Sequence, residues 1–161
     1  MDVRELKYRI CMSCGSRCCK RFDYKTWYVQ LTLRDIVRIA EGLREPIDEV
    51  VRKYVKIINY GTYMILTLKA VDGKCIFLTD KGCSIQNFKP IACRTYPVYI
   101  PGTYIDPECP LSRYPELLEE EVKNVEQYIK EFNETRQILE NKNPKTPQQI
   151  AELARHIQKE N

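Results

Sequence analysis

Four of the eight cysteines in this 161-residue chain stand within nine positions, in the stretch CMSCGSRCCK, and the others follow singly as Cys75, Cys83, Cys93 and Cys109. Thiols at this density constrain a fold more than any other feature of the sequence. They are cross-linked, they share an inorganic centre, or one of them is reactive. An even count fits disulfides, but a bridge between the adjacent Cys18 and Cys19 is strained. The start, MDVRELKYRI, is charged from its second residue and has neither an apolar core nor a small-residue cleavage site. It does not read as a secretory signal. Apolar runs such as Met64-Ile65-Leu66 fall far short of the roughly 20 residues that span a bilayer. The expected location is therefore cytoplasmic, where disulfides rarely persist outside hyperthermophiles.

Metal fits these spacings better. Cys11-x2-Cys14 lets two thiolates converge on one soft cation, and Cys14 and Cys18 share a helical face if that turn is helical. The single histidine, His156, lies far along the chain and reads as solvent-facing. The donor set is then sulfur, with or without a carboxylate, and an all-thiolate set selects zinc or an iron–sulfur cluster over magnesium or calcium. One ion has little use for two neighbouring thiolates, so Cys18 and Cys19 read as serving different centres, or as one ligand and one bystander. Structural zinc typically uses two CxxC knuckles and only one is present. Dispersed single cysteines and the dipeptide Cys109-Pro110 are more familiar from clusters. An iron–sulfur cluster (4Fe-4S) therefore ranks first, Zn2+ second, and structural thiols or disulfides third. With no histidine near any cysteine to act as base, no catalytic residue is assigned.

The rest of the chain supplies the frame. LTLRDIVRIAEGLR carries Ile36, Ile39, Ala40 and Leu43 at helical spacing, with Thr32 and Asp35 in a capping-box arrangement and Gly42 inside or near the end. PIDEVVRKYVKII continues as a second helix with a stripe from Ile47 to Ile58, and the two predict a helical hairpin. YGTYMILTLKA, Asp72-Gly73 and KCIFLT predict a β-hairpin with Cys75 opening its second strand and Cys83 just beyond it. Residues 87–115, with six prolines, are expected to be irregular. YPELLEEEVKNVEQYIKEFNETRQILENK predicts a long helix with a narrow seam of Leu118, Val122, Val125, Ile129, Phe132 and Leu139, interrupted by Arg136. Such a seam suits one partner helix. Thr146-Pro147-Gln148-Gln149 starts a final helix with Ile150, Leu153, Ala154 and Ile157 on its apolar face.

The net charge of +4 is mild, but Lys7, Arg9, Arg17, Lys20, Arg21 and Lys25 all surround the cysteine cluster. They read equally as a solvated surface, as cations that favour thiolates, or as an anion face for RNA or phosphate. Tyr8, Phe22, Tyr24, Trp27 and Tyr28 interleave them, which suits base stacking or a core. Arg94 and Tyr96 directly follow Cys93 and are candidate cofactor-binding residues, Arg94 as a donor to sulfur and Tyr96 as a relay. Ordinary packing of Tyr96 and surface pairing of Arg94 are the plainer alternative.

Taken in order, CMSCGSRCC, LTLRDIVRIAEGL, GKCIFLTDKGCSIQNFKPIACRTYP and ECP make residues 11–111 resemble the YkgJ-like CxxCxxCC family of zinc- or iron-chelating, Fe-S-cluster-containing proteins. The resemblance implies that Cys11, Cys14, Cys18, Cys19, Cys75, Cys83, Cys93 and Cys109 are the motif cysteines, hence the metal ligands. The chain departs from the pattern twice. Gly15-Ser16-Arg17 puts three residues where the family name has two, and Lys89-Pro90 replaces Arg-Pro. The flagellin lysine methylases, one branch of that family, couple the cysteine domain to methyl transfer, but no separate cofactor-binding segment stands out here.

The expectation is an α+β fold. Residues 1–111 form a small cysteine-rich metal-centred domain framed by a helical hairpin and a β-hairpin, and residues 112–161 form a helical C-terminal extension. Its function is metal binding through an all-cysteine site, serving redox chemistry, metal handling or modification of another protein. The alternative is a zinc-stabilised binding module that docks RNA or a protein assembly through the basic face and the C-terminal helices.

Overall fold

The computed structural model describes residues 2–25, 27–99 and 104–160. Helix α1 (Val3–Ser13) starts where Asp2 accepts the backbone N–H of Arg4 at 3.3 Å. It stops at Cys14 because Gly15 (φ 76°) and Ser16 (φ 53°) both turn left-handed. A short 3-10 turn, Arg17–Cys19, follows. Cys18 is thus on a separate turn and does not share a helical face with Cys14, contrary to the four-residue spacing. That face needed an unbroken helix, and a left-handed glycine breaks one at little cost.

Helices α2 (Leu33–Leu43) and α3 (Ile47–Tyr54) form the expected hairpin, turned by Arg44 in the left-handed region. Both halves of the capping box at Thr32 and Asp35 are present. Helix α3 ends four residues earlier than its apolar stripe predicts. Val55–Asn59 instead forms strand β1, antiparallel to β2 (Met64–Leu68), with Ile57 opposite Leu66. Three of those five residues are β-branched, and pairing with the apolar β2 overrides the helical period. In place of one β-hairpin the segment folds as three in succession. After β1–β2 come β3 (Ala70–Val71) with β4 (Lys74–Cys75), then β5 (Leu78–Thr79) with β6 (Gly82–Cys83). The Asp72-Gly73 turn is where the dipeptide predicts it, with both residues at positive φ. Among the described residues, segment 87–115 holds a short helix α4 (Ile91–Thr95), the paired β7 (Val98–Tyr99) and β8 (Tyr104–Ile105), and 3-10 turns at Gln86–Phe88 and Pro110–Arg113.

The long helix α5 (Pro115–Lys142) and helix α6 (Pro147–Lys159, capped by Thr146 and Gln149) close the fold. The seam of α5 does not face a single helix. Leu118 belongs to a satellite cluster with Leu111 and Leu117, whereas Leu139 belongs to the main core, and the side chain of Val122 lies outside the described residues. Ile150, Ala151, Ala154 and Ile157 of α6 bury against α2 and α3, in the cluster that holds Leu33, Ile36, Val50 and Leu66. Burying a side chain of the Ile150 kind contributes about 1.5–3 kcal/mol. The C-terminal helices therefore share the core of the cysteine-rich segment. Among the described residues, no helix is long and apolar enough to cross a membrane.

A buried polar network, invisible in the periodicity, joins these parts. The carboxylate of Asp35 accepts the N–H of Thr32 (2.9 Å), the N–H of Ile91 (2.9 Å) and Nη2 of Arg38 (2.6 Å). Arg38 also donates to Glu131 of α5 at 2.7 Å, and Thr135 accepts the N–H of Leu33 at 2.9 Å. Asp35, Glu131 and Thr135 are all buried. One carboxylate thus fixes the start of α2, the start of α4 and, through Arg38, the middle of α5. Helix α4 carries Cys93.

Candidate metal centre

Separate segments each deliver one or two sulfurs. The end of α1 carries Cys11 and Cys14, with the Cys14 thiol donating to the Cys11 carbonyl at 3.2 Å. The turn after it carries Cys18 and Cys19, β4 carries Cys75, β6 Cys83, α4 Cys93, and Cys109 precedes the Pro110–Arg113 turn. Two long-range hydrogen bonds dock the Cys18–Cys19 turn. The Arg17 guanidinium donates to the Glu108 carbonyl at 3.1 Å, and the Trp27 indole N–H donates to the Cys18 carbonyl at 2.8 Å. All eight cysteines are free thiols.

Each of the six thiols outside the Cys18–Cys19 turn lies within electrostatic reach of others. Cys18, Cys109 and Cys14 act on Cys11; Cys18 and Cys14 act on Cys109. Cys83 and Cys18 act on Cys75; Cys75, Cys18 and Cys83 act on Cys93; Cys18 and Cys11 act on Cys83. Cys18 recurs throughout and is hydrogen-bonded to Cys19. Burial is the largest cause that pushes the Cys11 and Cys75 thiols up to about 11 and raises Cys83, Cys93 and Cys109. The Cys18 thiol rises as well, first through its bond to Cys19 and then through burial. Cys93 is half-buried as a residue, but its sulfur is deep enough that burial dominates its shift. Without metal these groups are protonated at neutral pH.

Two features favour the deprotonated form. Lys89 opposes the upward shift at Cys11, Cys18, Cys83 and Cys93, so the residue that departs from the family's Arg-Pro places its charge among four thiols. Backbone N–H groups bond to three sulfurs: Phe77 and Leu78 to Cys75, Ile85 to Cys83, and Leu111 to Cys109. Such N–H donors lie mostly two residues after the cysteine and offset charge on a metal-bound thiolate. Donor type, burial and compensating charge suit a soft, thiolate-binding cation. Among the described residues, no three Cys, His, Asp or Glu side chains are already drawn together tightly enough to grip one ion.

The other predicted residues fall in two places. Tyr96 donates to the Asp106 carboxylate, receives Arg21 at 3.4 Å, and meets the Trp27 ring edge-on with centroids 5.6 Å apart. It lines a small cavity with Cys14, Cys18 and Cys109. Burial, then its bond to Asp106, pushes the Tyr96 phenol well above the usual range. Arg94 points to the buried network, where Nε and Nη2 have no hydrogen-bond partner. Burial, and next the charge of Arg38, lower its pKa, while Cys93 is among the negative groups that support its charge. His156 is solvent-facing, with 79% of its side chain exposed.

The cations around the cluster are largely engaged. Arg9 pairs with Glu5 at 2.6 Å, Arg21 reaches Asp106 and Glu108 and sits 3.9 Å over Trp27, and Lys7 also has a partner. Lys20 and Lys25 are exposed. Phe22 is core, and the Tyr24 hydroxyl accepts the N–H of Ala70 at 2.5 Å. Sequence reasoning missed Asp106, Glu108 and the Asp35–Arg38–Glu131 network. Only the capping box hinted at the last.

The fold and the eight thiols define a small cysteine-rich α+β domain. The chain belongs to the CxxCxxCC family, whose description reads "Putative zinc- or iron-chelating domain"; the match covers residues 10–134 and so runs through much of α5. It is also 40% identical over 89 residues to a Methanocaldococcus jannaschii protein, "Uncharacterized protein MJ0661". That alignment covers 54% of this chain and 43% of the relative, so the chain spans less than half of the relative's length. No solved structure matches the chain.

Proposed function

We propose that Cys11, Cys14, Cys18, Cys19, Cys75, Cys83, Cys93 and Cys109 hold metal as thiolates, with an iron–sulfur cluster of the 4Fe-4S type ahead of Zn2+. The observation that carries this reading is the mutual electrostatic reach of sulfurs from distant segments, with backbone N–H bonds to three of them. Bound metal would supply redox or Lewis-acid chemistry. The chain's own residues set its conditions. Lys89 offsets thiolate charge, and the N–H groups after Cys75, Cys83 and Cys109 hold those sulfurs in place. Arg94 holds a partly unpaired guanidinium in the buried network with Cys93 among the negative groups around it, and Tyr96 and Asp106 present a hydrogen-bonded pair beside Cys14, Cys18 and Cys109. Residues 112–161 clamp the cysteine-rich segment 1–111 through Glu131 and the α6 face. Free thiols in this number suit a reducing, cytoplasmic setting, and redox, metal-handling or protein-modifying roles all fit.

Anaerobic purification with iron, zinc and sulfide counted per chain tests the reading. Iron with equal sulfide and visible charge-transfer absorption supports the cluster; colourless zinc-loaded protein moves the reading to zinc. Absence of stoichiometric metal after reconstitution refutes both. A zinc-folded module that docks RNA or a protein assembly gains little support, because Arg9, Arg17 and Arg21 already have partners and Phe22 is buried.

A further inference from the structure

Away from the thiols, α5 and the β1–β2 hairpin leave a groove of about 730 Å³ between them, a volume in the range of small-molecule sites. Its floor is part of the core. Leu31, Leu66 and Leu139 are almost fully buried there, and Thr135 is tied to the N–H of Leu33 at 2.9 Å. Tyr28 and Tyr63 line the groove from the hairpin side. Tyr60 braces both, hydrogen-bonded to Tyr28 and stacked on Tyr63 with ring centroids 4.9 Å apart. Phe132 adds a third ring from α5, and Tyr63 keeps 53% of its surface exposed. Arg136, which interrupts the apolar seam of α5, also lines this groove. Among the described residues no carboxylate pairs with it, although Glu140 lines the groove one turn further on. Lys145 supplies a second cation, held by the side-chain oxygen of Asn143 at 3.1 Å. Two cations against one carboxylate leave the groove with a positive balance.

We propose that this groove binds a small nucleoside phosphate, with its base on the Tyr63 ring and its phosphate against Arg136 and Lys145. Every base has a π-face that a tyrosine can stack on, and a guanidinium matches phosphate oxygens in pairs. The carboxamide of Gln30 and the carboxylate of Glu140 stand in the same lining and offer hydrogen bonds to base or ribose. Other occupants fit less well. A peptide that adds to a sheet needs an open strand, and β2 is already paired on both sides, with β1 and with residues 29–31. A purely apolar ligand would leave Arg136 and Lys145 unanswered, and a bare anion would leave the rings uncovered. The cationic wall at residues 136–145 falls beyond the family match at 10–134, and among the described residues no cysteine lines the groove. The proposal therefore stands independently of the metal-binding reading.

Calorimetric titration of the full chain at low salt with AMP and GMP tests it, with adenosine and inorganic phosphate as the two halves of the ligand. At least one mononucleotide should bind saturably, and adenosine and phosphate should each bind at least about tenfold more weakly. Arg136→Gln should weaken nucleotide binding about tenfold or more, and Arg136→Lys should restore part of it. Tyr63→Ala should weaken it to a similar degree. Arg136 and Tyr63 are exposed, so thermal unfolding without ligand should match wild type, and Lys159→Gln on α6 serves as a cation control outside the groove. Absence of saturable binding of either mononucleotide overturns the proposal, as does binding that both groove variants leave undiminished. Phosphate binding as tightly as nucleotide reduces the groove to a bare anion site and overturns it too. So does an oligoadenylate that binds far more tightly than AMP, or a wild-type dimer that Tyr63→Ala dissociates, since these assign the groove to RNA or to a second copy.

Discussion

An alanine at Gly42 sets two effects of opposite sign against each other. Read from sequence alone, a glycine inside α2 weakens the helix, and Gly42→Ala should stabilise by about 1 kcal/mol. The tertiary structure reverses the sign. A Cβ at position 42 would stand 2.5 and 2.6 Å from Cδ2 and Cδ1 of Phe88, and closer still to Cγ. Phe88 sits on the turn between Cys83 and Cys93, so its ring cannot move without pushing the segment that delivers both sulfurs. Overpacking of this kind costs about 1–3 kcal/mol. Set against the propensity gain, the expected net is a loss of up to about 2 kcal/mol, or a fall in Tm of up to about 6 °C for a chain of this size. Urea and thermal unfolding of metal-free, reduced protein measure it. Gly42→Ala combined with Phe88→Ala supplies the control, because removing the ring should restore the helix-propensity gain and give a clearly non-additive cycle. A single variant that is more stable than wild type, or a double variant whose effects simply add, would refute the reasoning.

Other consequences follow from the same geometry. Asp35→Ala removes the acceptor of two backbone N–H groups and a partner of buried Arg38, and should cost about 3–5 kcal/mol by urea unfolding; Asp35→Asn should cost less. The metal-free chain should lose stability at alkaline pH. Cys11 and Cys75 shift from 9.0 to about 11, so the folded state holds protons that the unfolded state has released between those values. The loss reaches about 3 kcal/mol for each thiol as pH rises through that window, read from unfolding at stepped pH. Metal-loaded protein should not show it, because its ligands are already thiolates. Metal binding near pH 7 should release protons, measurable in weakly buffered solution. His156→Ala should leave metal content unchanged, since that side chain faces solvent in the last turn of α6.

What the sequence by itself determined was chemistry and local form. Eight cysteines beside a single remote histidine make sulfur the soft donor this chain has to offer, and Cys11-x2-Cys14 at a helix end is local. The Thr32–Asp35 and Thr146–Gln149 capping boxes, the Asp72-Gly73 turn and the apolar stripes of α2 and α6 were legible because each depends on residues within a few turns of one another. The stripe through Val55 to Ile58 misled for a related reason. Helix and strand periods agree over a short β-branched run, and only the partner strand at Met64–Leu68 decides between them. The tertiary structure alone decided that Asp35 is a buried hub as well as a cap, that Phe88 covers Gly42, and that Lys89 stands among the thiols. It also decided which cysteines face the core and which face the cavity. Those facts join residues tens of positions apart, where no spacing rule reaches, because burial and charge depend on which segments pack together.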